Sequence, residues 1–244
     1  IYFDYNLSKL NWFNIGGITR VFFKPESLQD LVLFLKFYKS RGKIFIVGAG
    51  SNILFKDQDY DGVVIKLTKN FSNISILNKN TIIAGSGVLD KKISEFAMNN
   101  NIGGFEFLSC IPGTIGGGIR MNSGCFGKEV KDILVSVQVL DNLGKVRTIL
   151  SDNIKFDYRK CDLQSDLIFL SASLKGAYKD KVKIKEEISY LKNKKEISQP
   201  TKVKTGGSTF KNPKGKTKLK VWELIKQSVP LNTSFGDAAI SPKH

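Results

Sequence analysis

The stretch "SCIPGTIGGGIRMNSGCFG", residues 109–127, contains six glycines in nineteen positions. Glycine inside a helix or strand costs roughly 0.5–1 kcal/mol relative to alanine. A cluster of this density indicates that the backbone turns through positive φ or lies against a bulky partner. Pro112, Thr114 and Asn122 stand among the glycines, which is unlike a flexible Gly/Ser linker. We predict that this glycine-rich segment holds a ligand, with a purely structural loop as the alternative.

The chain has 244 residues, enough to bury a sizeable core as one domain or as two or three smaller units. Hydrophobic residues make up 41% and charged residues 25%, which is typical of a globular protein. The sequence contains no apolar run of membrane-spanning length and no secretory signal pattern. We therefore expect a cytoplasmic protein. Because it begins at Ile1 without an initiator Met, we also expect the gene product to be longer.

Cysteine and histidine usage excludes several kinds of site. The three cysteines, Cys110, Cys125 and Cys161, have neither the spacing of a zinc site nor that of a disulfide framework. The one histidine is His244, so no internal imidazole is available for a Ser-His-Asp triad or a histidine-rich metal site. We expect no metal, a reducing compartment and none of the histidine-dependent hydrolase chemistries.

The formal net charge of +16 first suggests a nucleic-acid-binding protein. The excess is almost all lysine, however, and the lysines are scattered over most of the chain. A compositional preference for lysine explains this charge, and the dense run at residues 191–198 is predicted to be a solvated helix face. A positive potential would also attract an anionic small molecule. Nucleic-acid binding stays an alternative function.

Hydrophobic periodicity predicts three successive units. We divide the chain into domains at 1–67, 68–197 and 198–244, because Pro and Gly interrupt the pattern after residue 198. The predicted strands cover residues 20–24, 43–47, 62–67, 73–77, 81–87, two within 135–149, and 167–175. The predicted helices cover residues within 25–42, then 89–100, 182–196 and 218–228.

The stretch "IVGAGSNIL", residues 46–54, places Gly48 and Gly50 directly after a predicted strand. Backbone N–H groups at such a turn can converge on a phosphate. The third glycine position of the GxGxxG pattern holds Ile53 and no credible helix follows, which disfavours a standard dinucleotide-binding βαβ unit. A tight strand-to-loop turn explains the two glycines as well. Together with the glycine-rich segment, the pattern suits a long ligand with a pyrophosphate and a ring system.

Four motifs in this order carry a family resemblance: "GAGSNILF" (48–55), "GFEFLSCIPGTIGGGIRMNSGCFG" (104–127), "FDYR" (156–159) and "GGSTFKNP" (206–213). With "NWFNIGG" (11–17), they resemble the UDP-N-acetylenolpyruvoylglucosamine reductases, or UDP-N-acetylmuramate dehydrogenases, of bacterial peptidoglycan synthesis. The resemblance covers nearly the whole chain. It implies an α+β FAD-binding fold of the vanillyl-alcohol oxidase type, with two α/β subdomains and a smaller C-terminal α/β substrate domain.

The resemblance also implies ligands and partners. FAD and NADPH are the expected cofactors, and a UDP-sugar enolpyruvyl ether is the expected substrate. We expect a monomer with no nucleic-acid or membrane partner. Glycines let the backbone approach a flat ligand, while Thr114 and Asn122 can donate side-chain hydrogen bonds. The implied FAD-binding residues are Gly48, Ala49, Gly50, Ser51, Asn52, Gly113, Thr114, Gly117, Gly118, Asn122 and Gly124.

The family chemistry implies two catalytic residues. NADPH reduces the flavin, whose N5 then delivers a hydride to C3 of the enolpyruvyl group. Arg159 matches the family's arginine, which stabilises the enolate-like intermediate. Ser208 matches the serine that protonates C2; without the resemblance it reads as a turn or helix-cap residue. A non-catalytic flavin- or nucleotide-binding module is the alternative function.

Three further residues are implied in substrate binding. Tyr158 and Lys211 are placed beside the substrate, with Lys211 as a partner of the pyrophosphate, and Asn212 is placed near the UDP moiety. A half-buried strand aromatic is the alternative for Tyr158, and a surface lysine is the alternative for Lys211.

The sequence departs from the family pattern at several points. Cys161 stands where a serine is usual, and Trp12 where a threonine is usual. The family's catalytic glutamate is expected beyond His244. The short spacing between Arg159 and Ser208 predicts membership of the branch that lacks an extra substrate-closing insertion.

Overall fold

The computed structural model describes residues 1–38, 41–200, 203–213, 215 and 217–241. Its first unit is a four-stranded sheet in the order β1-β2-β4-β3. Strands β2 and β3 both run parallel to β4, and β1 is antiparallel to β2. Leu31 and Leu35, one helical turn apart, bury one face of helix α1. The elements are β1 (Tyr2–Asn6), β2 (Ile18–Phe23), α1 (Leu28–Tyr38), β3 (Lys43–Ile46) and β4 (Tyr60–Ile65).

The second unit is a five-stranded antiparallel sheet in the order β11-β10-β14-β6-β5. Three two-stranded pairs, β7 with β15, β8 with β9 and β12 with β13, surround it. In chain order the elements are β5 (Ile74–Asn78), β6 (Thr81–Gly85), α2 (Asp90–Asn99), β7 (Ile102–Gly103), α3 (Ile115–Met121), β8 (Gly124–Cys125), β9 (Lys128–Glu129), β10 (Leu134–Leu140), β11 (Val146–Leu150), β12 (Phe156–Asp157), β13 (Lys160–Cys161), β14 (Ile168–Lys175), β15 (Ala177–Tyr178) and α4 (Lys181–Ser198).

Short 3-10 helices connect several of these elements and lie at Leu7–Leu10, Lys69–Phe71, Glu106–Cys110, Val130–Asp132 and Ser151–Asn153. The predicted hairpin within residues 135–149 forms as β10 and β11. The chain reverses there at Gly144, whose φ of 79° is a left-handed value that suits glycine.

The two sheets share an apolar core. Leu31 and Ile65 of the first unit belong to the same buried cluster as Leu140 and Ile168 of the second unit. Another cluster lies between the second sheet and helices α2 and α3, with Ile93 and Ile115 fully buried. The first proposed domain boundary, after residue 67, lies between β4 and β5, so the proposed division separates two sheets that remain packed together.

The glycine-rich segment contains helix α3, which the sequence does not predict. Three consecutive glycines disfavour a helix, but tertiary contacts outweigh this propensity. Ile115 and Ile119 are fully buried on one face, and the Gly116 N–H donates to the Ser86 carbonyl at 2.9 Å. The helix ends at Met121, and the C-cap residue Asn122 has a φ of 41°, in the left-handed region that asparagine tolerates.

The C-terminal part is built from small, exposed elements: α5 (Val221–Ser228), β16 (Ser234–Phe235) and β17 (Ala238–Ala239). Among the described residues, none beyond Leu191 is buried. The second proposed boundary, after residue 197, lies one residue before α4 ends at Ser198. Of the solvated face predicted at 191–198, residues 192–198 are exposed or half-buried, whereas Leu191 is buried. In the described part of the chain, no helix has the length and apolar character needed to cross a membrane.

Candidate active site

The turn after β3 brings residues 48–52, here called the Gly48 loop, against the glycine-rich segment. A Cβ at Gly48 would lie 2.5 Å from Thr114 Oγ1, so the close approach of the two segments requires glycine. Gly50 has a φ of 72°, and a Cβ there would lie 1.9 Å from the Leu10 carbonyl oxygen. The structure therefore gives both glycines a packing reason and juxtaposes the two stretches singled out in the sequence.

The backbone of the Gly48 loop has N–H groups that are available to a ligand. Within the described residues, the N–H groups of 48–52 donate to no backbone carbonyl. Gly48, Ala49 and Ser51 are half-buried, and Asn52 is exposed. Buried or half-buried N–H groups normally find an acceptor. A row of unused donors at a turn after a strand fits an anionic partner such as a pyrophosphate.

The three consecutive glycines of α3 differ in their surroundings. A Cβ at Gly116 would lie 3.0 Å from Ser86 Cβ, and one at Gly118 would lie 3.1 Å from Ser123 Oγ. Gly117 is exposed, and the nearest atom to a Cβ there would be Thr114 Oγ1 at 3.7 Å, an ordinary contact. Protein packing therefore explains Gly116 and Gly118 but not Gly117. A flat molecule lying against this turn would explain it.

A buried carboxyl group lies beneath the glycine-rich segment. Asp90, the first residue of α2, is 0% exposed, and neither of its carboxyl oxygens has a hydrogen-bond partner among the residues that the structure describes. Burial raises the pKa of Asp90 from 3.8 to about 8. A Cβ at Gly113 would lie 2.7 Å from its Oδ2, so Asp90 is the packing reason for that glycine. Sequence reasoning missed Asp90, because an acidic residue in a first helical turn is typical of an exposed position.

The end of the glycine-rich segment is anchored by Asn122, which is 0% exposed. Its Nδ2 donates to Glu129 Oε2 at 2.9 Å and to the Asp157 carbonyl at 3.2 Å. Its Oδ1 accepts from the Lys131 N–H at 3.1 Å. Both Nδ2 hydrogens are thus engaged within the protein. The sequence predicts that this side chain donates to a ligand, but in the structure both of its N–H groups donate to protein oxygens.

Arg159 is held against the same segment and has a φ of 56°, in the left-handed region. Its Nη2 donates to the Gly124 carbonyl at 3.0 Å. Its Nη1 lies 3.3 Å from both Glu129 Oε1 and the Asn122 carbonyl. The guanidinium carbon lies 4.9 Å from the centre of the Tyr158 ring, within range of a cation–π contact. Glu129, like Asp90, was not identified from the sequence, where "GKEV" gives no signal of a charged partner.

Residues from the predicted substrate-binding motif meet those of "FDYR". Lys211 Nζ donates to the Arg159 carbonyl at 3.1 Å. Asn212 Nδ2 donates to Tyr158 Oη at 3.3 Å. The structure therefore brings together four predicted site residues that are about fifty positions apart in sequence. All four side chains retain polar atoms at a partly open surface.

The Gly206–Ser208 turn lies next to the Gly48 loop. A Cβ at Gly206 would lie 3.1 Å from the Phe13 ring and 3.9 Å from the Ser51 carbonyl oxygen. Gly207 has a φ of 76°, and its N–H donates to Thr205 Oγ1 at 3.1 Å. Ser208 follows on the exposed side of this turn. The predicted proton donor and the predicted cofactor loop thus lie in neighbouring segments.

Comparison with known proteins identifies the family to which this chain belongs. The sequence profile of an FAD binding domain matches residues 19–150. A UDP-N-acetylenolpyruvoylglucosamine reductase from Pelagibacter ubique (strain HTCC1062) is 63% identical over 244 residues, covering 100% of this chain and 81% of that relative. The chain belongs to this reductase family.

Two other UDP-N-acetylenolpyruvoylglucosamine reductases are also similar to this chain. The reductase from Rickettsia akari (strain Hartford) is 44% identical over 241 residues, covering 99% of this chain and 80% of that relative. The crystal structure of UDP-N-acetylenolpyruvylglucosamine reductase from Thermus caldophilus matches with a TM-score of 0.85 at 26% identity, over 98% of this chain and 84% of that structure. The family and the α+β FAD-binding fold predicted from the motifs are confirmed.

The residues of this reductase-family chain fit FAD. The unused N–H groups of the Gly48 loop suit a pyrophosphate, and the open face of Gly117 suits a flat ring or chain. Both features lie within the matched FAD binding domain. Thr114, which touches Gly48 and lies nearest to Gly117, joins them into one surface.

Proposed function

We propose that this protein reduces the enolpyruvyl group of UDP-N-acetylglucosamine enolpyruvate with NADPH, giving UDP-N-acetylmuramate for peptidoglycan precursor synthesis. The observation that carries the proposal is the meeting of Tyr158, Arg159, Lys211 and Asn212 beside the end of the glycine-rich segment. The name of the 63% identical Pelagibacter relative supports the same substrate. We further propose that the protein acts in the cytoplasm as a monomer.

Two segments would hold FAD. The N–H groups of the Gly48 loop would bind the pyrophosphate, and Thr114 and Gly117 would form the surface against which the cofactor lies. When bound, FAD supplies hydride transfer from NADPH to the enolpyruvyl carbon C3. Gly48, Gly50 and Gly113 act indirectly, since each permits a close contact within the protein that shapes this surface.

Arg159 would stabilise negative charge on the substrate. Hydride addition at C3 moves electron density toward the substrate carboxylate, so a fixed cation lowers the energy of the enolate-like intermediate. The carbonyls of Asn122 and Gly124 and the Glu129 carboxylate hold the guanidinium in one orientation. Because this orientation exists before substrate binds, little reorganisation is needed during the reaction.

Lys211 and Asn212 would position the nucleotide part of the substrate. Lys211 Nζ donates to the Arg159 carbonyl, and an ammonium group has three donors, so it can also meet a phosphate oxygen. Asn212 and Tyr158 share a hydrogen bond that fixes both polar ends at the same place. The positive charge of the chain favours the approach of an anionic substrate.

Ser208 would complete the reaction by donating its hydroxyl proton to C2. The hydride at C3 and the proton at C2 together saturate the double bond, and solvent returns the proton to the serine. A serine hydroxyl is a weak acid, so its position must supply the catalytic advantage. The Gly206–Gly207 turn, which lies next to Phe13 and Ser51, would provide that position.

Absorption spectroscopy of the purified protein tests this function. We expect a flavin spectrum that NADPH bleaches and that the enolpyruvyl substrate restores under anaerobic conditions. A flavin spectrum that NADPH bleaches but the substrate does not restore would identify a flavin protein with another electron acceptor. A bound flavin that NADPH does not bleach would indicate a non-catalytic flavin-binding module. Colourless protein that takes up no added FAD would overturn the proposal.

A further inference from the structure

Two cysteines flank the core of the glycine-rich segment and meet in space. Cys110 ends the 3-10 helix Glu106–Cys110 and is 5% exposed. Cys125 lies in β8 and is half-buried. Strand β8 packs against this 3-10 helix, and each cysteine is the main influence on the pKa of the other, so the two side chains face each other at this contact. The chain between Cys110 and Cys125, which includes helix α3, therefore forms a loop whose two ends are brought together where the two free thiols meet.

The surroundings make the two thiols unequal. The Cys125 hydrogen bond, with help from Ser109, Lys195 and Lys192, lowers the pKa of Cys110 to about 6. The same contact and burial raise the pKa of Cys125. Lys195 also donates to the Cys110 carbonyl, which holds its ammonium group near the pair. Cys110 is thus the more acidic of the two thiols and the better nucleophile.

A small reactant has a route to Cys125, the cysteine that faces Cys110. Cys125 lines a cavity of about 60 Å³ together with Phe107, Phe126 and Lys128. A single water occupies about 30 Å³ of liquid volume, so the cavity accommodates a molecule the size of hydrogen peroxide. The third cysteine differs, because Cys161 belongs to the apolar core cluster and is not among the residues that line this cavity.

We propose that Cys110 and Cys125 are an oxidation site that reacts with hydroperoxides to form a reversible intramolecular disulfide. The Cys110 thiolate attacks the O–O bond, forming a sulfenic acid, and the departing hydroxide takes a proton from solvent to become water. The Cys125 sulfur then bonds to the Cys110 sulfur, and the sulfenic hydroxyl leaves as a second water with the Cys125 proton. The two thiols lose two electrons, which reduce the peroxide.

The position of this disulfide implies an effect on catalysis, and this effect rests on the proposed function. Cys110 directly precedes the segment that would face FAD, and the neighbour of Cys125, Gly124, accepts a hydrogen bond from Arg159. A disulfide would tie these two parts of the site together. We expect oxidation to slow the return of electrons to the enolpyruvyl substrate and a dithiol reductant to restore it.

Mass spectrometry and thiol titration of the purified flavoprotein test the chemistry without reference to turnover. After treatment with hydrogen peroxide, we expect the thiol count to fall from three per chain to one and the mass to fall by two hydrogens. Peptide mapping should find Cys110 joined to Cys125, and dithiothreitol should reverse the change. Three unchanged thiols, added oxygen without a bridge, or a bridge between two chains would overturn the proposal.

Cysteine variants identify which two thiols form the disulfide. Cys161→Ser should retain the full response, falling from two thiols to none, whereas Cys125→Ser should form no bridge within the chain. A bridge that includes Cys161, or one that persists in Cys125→Ser, would contradict the assignment. If Cys125→Ser fails to fold, peptide mapping of the wild-type protein still decides. The thiol count is independent of the substrate, so this proposal and the proposed function can fail separately.

Discussion

Arg159 Nη1 lies 3.3 Å from Glu129 Oε1, and this contact joins a predicted catalytic cation to the strand that follows the glycine-rich segment. Glu129 also accepts from Asn122 Nδ2 and pairs with Lys131 Nζ at 3.1 Å. Its carboxylate is therefore the common acceptor of three donors. Such a group fixes the direction of the guanidinium even though it need not touch the substrate.

Glu129→Gln should disturb this arrangement. An amide has one acceptor oxygen, so either Arg159 or Asn122 would face an NH₂ group in place of a carboxylate oxygen. We expect the oxidation of reduced flavin by the enolpyruvyl substrate to slow by about tenfold, less than the 10²–10³ typical of deleting a charge-stabilising donor itself. Flavin reduction by NADPH should change little. Stopped-flow absorbance measures the two half-reactions separately.

Lys131→Met is the matched control for Glu129→Gln. It removes the exposed partner of the same carboxylate, and the backbone N–H of residue 131 still reaches Asn122. Exposed ion pairs contribute little, so both half-reactions should stay near the wild-type rates. Equal losses in Lys131→Met and Glu129→Gln would argue against a positioning role that depends on the Arg159 contact.

Gly117→Ala should separate protein stability from cofactor binding. A Cβ fits this position without a close contact, so alanine should stabilise the FAD-free protein by up to about 1 kcal/mol through helix propensity. If FAD lies against Gly117, the same methyl group should weaken FAD binding. Urea unfolding of the FAD-free protein and fluorescence titration with FAD measure the two effects.

Gly116→Ala provides the contrast within the same helical turn. Its Cβ would lie 3.0 Å from Ser86 Cβ and 3.1 Å from the Ser86 carbonyl oxygen, so we expect lower stability. If Gly117→Ala instead binds FAD as tightly as the wild-type protein, the cofactor does not lie on the open face of α3.

The sequence motifs predicted the candidate site because each carries a backbone signal. The GAGSN turn, the glycine-rich segment and the GGST turn depend on glycines at positions where the structure shows left-handed φ angles or close contacts, as at Gly50 and Gly207. The strand and helix pattern was also readable, since apolar and polar residues alternate within β10 and α1 buries one stripe. These features are local in sequence.

The parts that the sequence did not reveal depend on tertiary contacts. Helix α3 forms against its own propensity because Ser86 and the apolar core hold it. Asp90 and Glu129 resemble ordinary surface acids in sequence, and only the fold buries one and places the other beside Arg159. The use of both Asn122 N–H groups within the protein is equally non-local.

The buried Asp90 should make stability depend on pH. Its folded pKa of about 8 exceeds the ordinary value of 3.8, so between these values the folded state binds more protons than the unfolded state. This group therefore lowers the free energy of unfolding as pH rises from about 4 to about 8. Asp90→Asn cannot titrate, and its stability relative to the wild-type protein should increase over that window. Urea unfolding at several pH values measures the difference.

Asp152→Asn, at an exposed position, is the control for Asp90→Asn. Its stability difference from the wild-type protein should vary much less with pH. A difference for Asp90→Asn that stays constant between pH 4 and pH 8 would show that the Asp90 carboxyl is ionised in the folded protein.

Ser208→Ala should affect one half of the reaction only. Loss of the hydroxyl removes the proposed proton donor to C2, so oxidation of reduced flavin by the substrate should slow by about 10²–10⁴, the usual range for general acid–base catalysis. Reduction by NADPH needs no such proton and should stay near the wild-type rate. Thr209→Ala, in the adjacent exposed position, removes a hydroxyl from the same segment and should leave both half-reactions unchanged. If Ser208→Ala slows both half-reactions equally in stopped-flow measurements, the serine shapes the turn and does not deliver the proton.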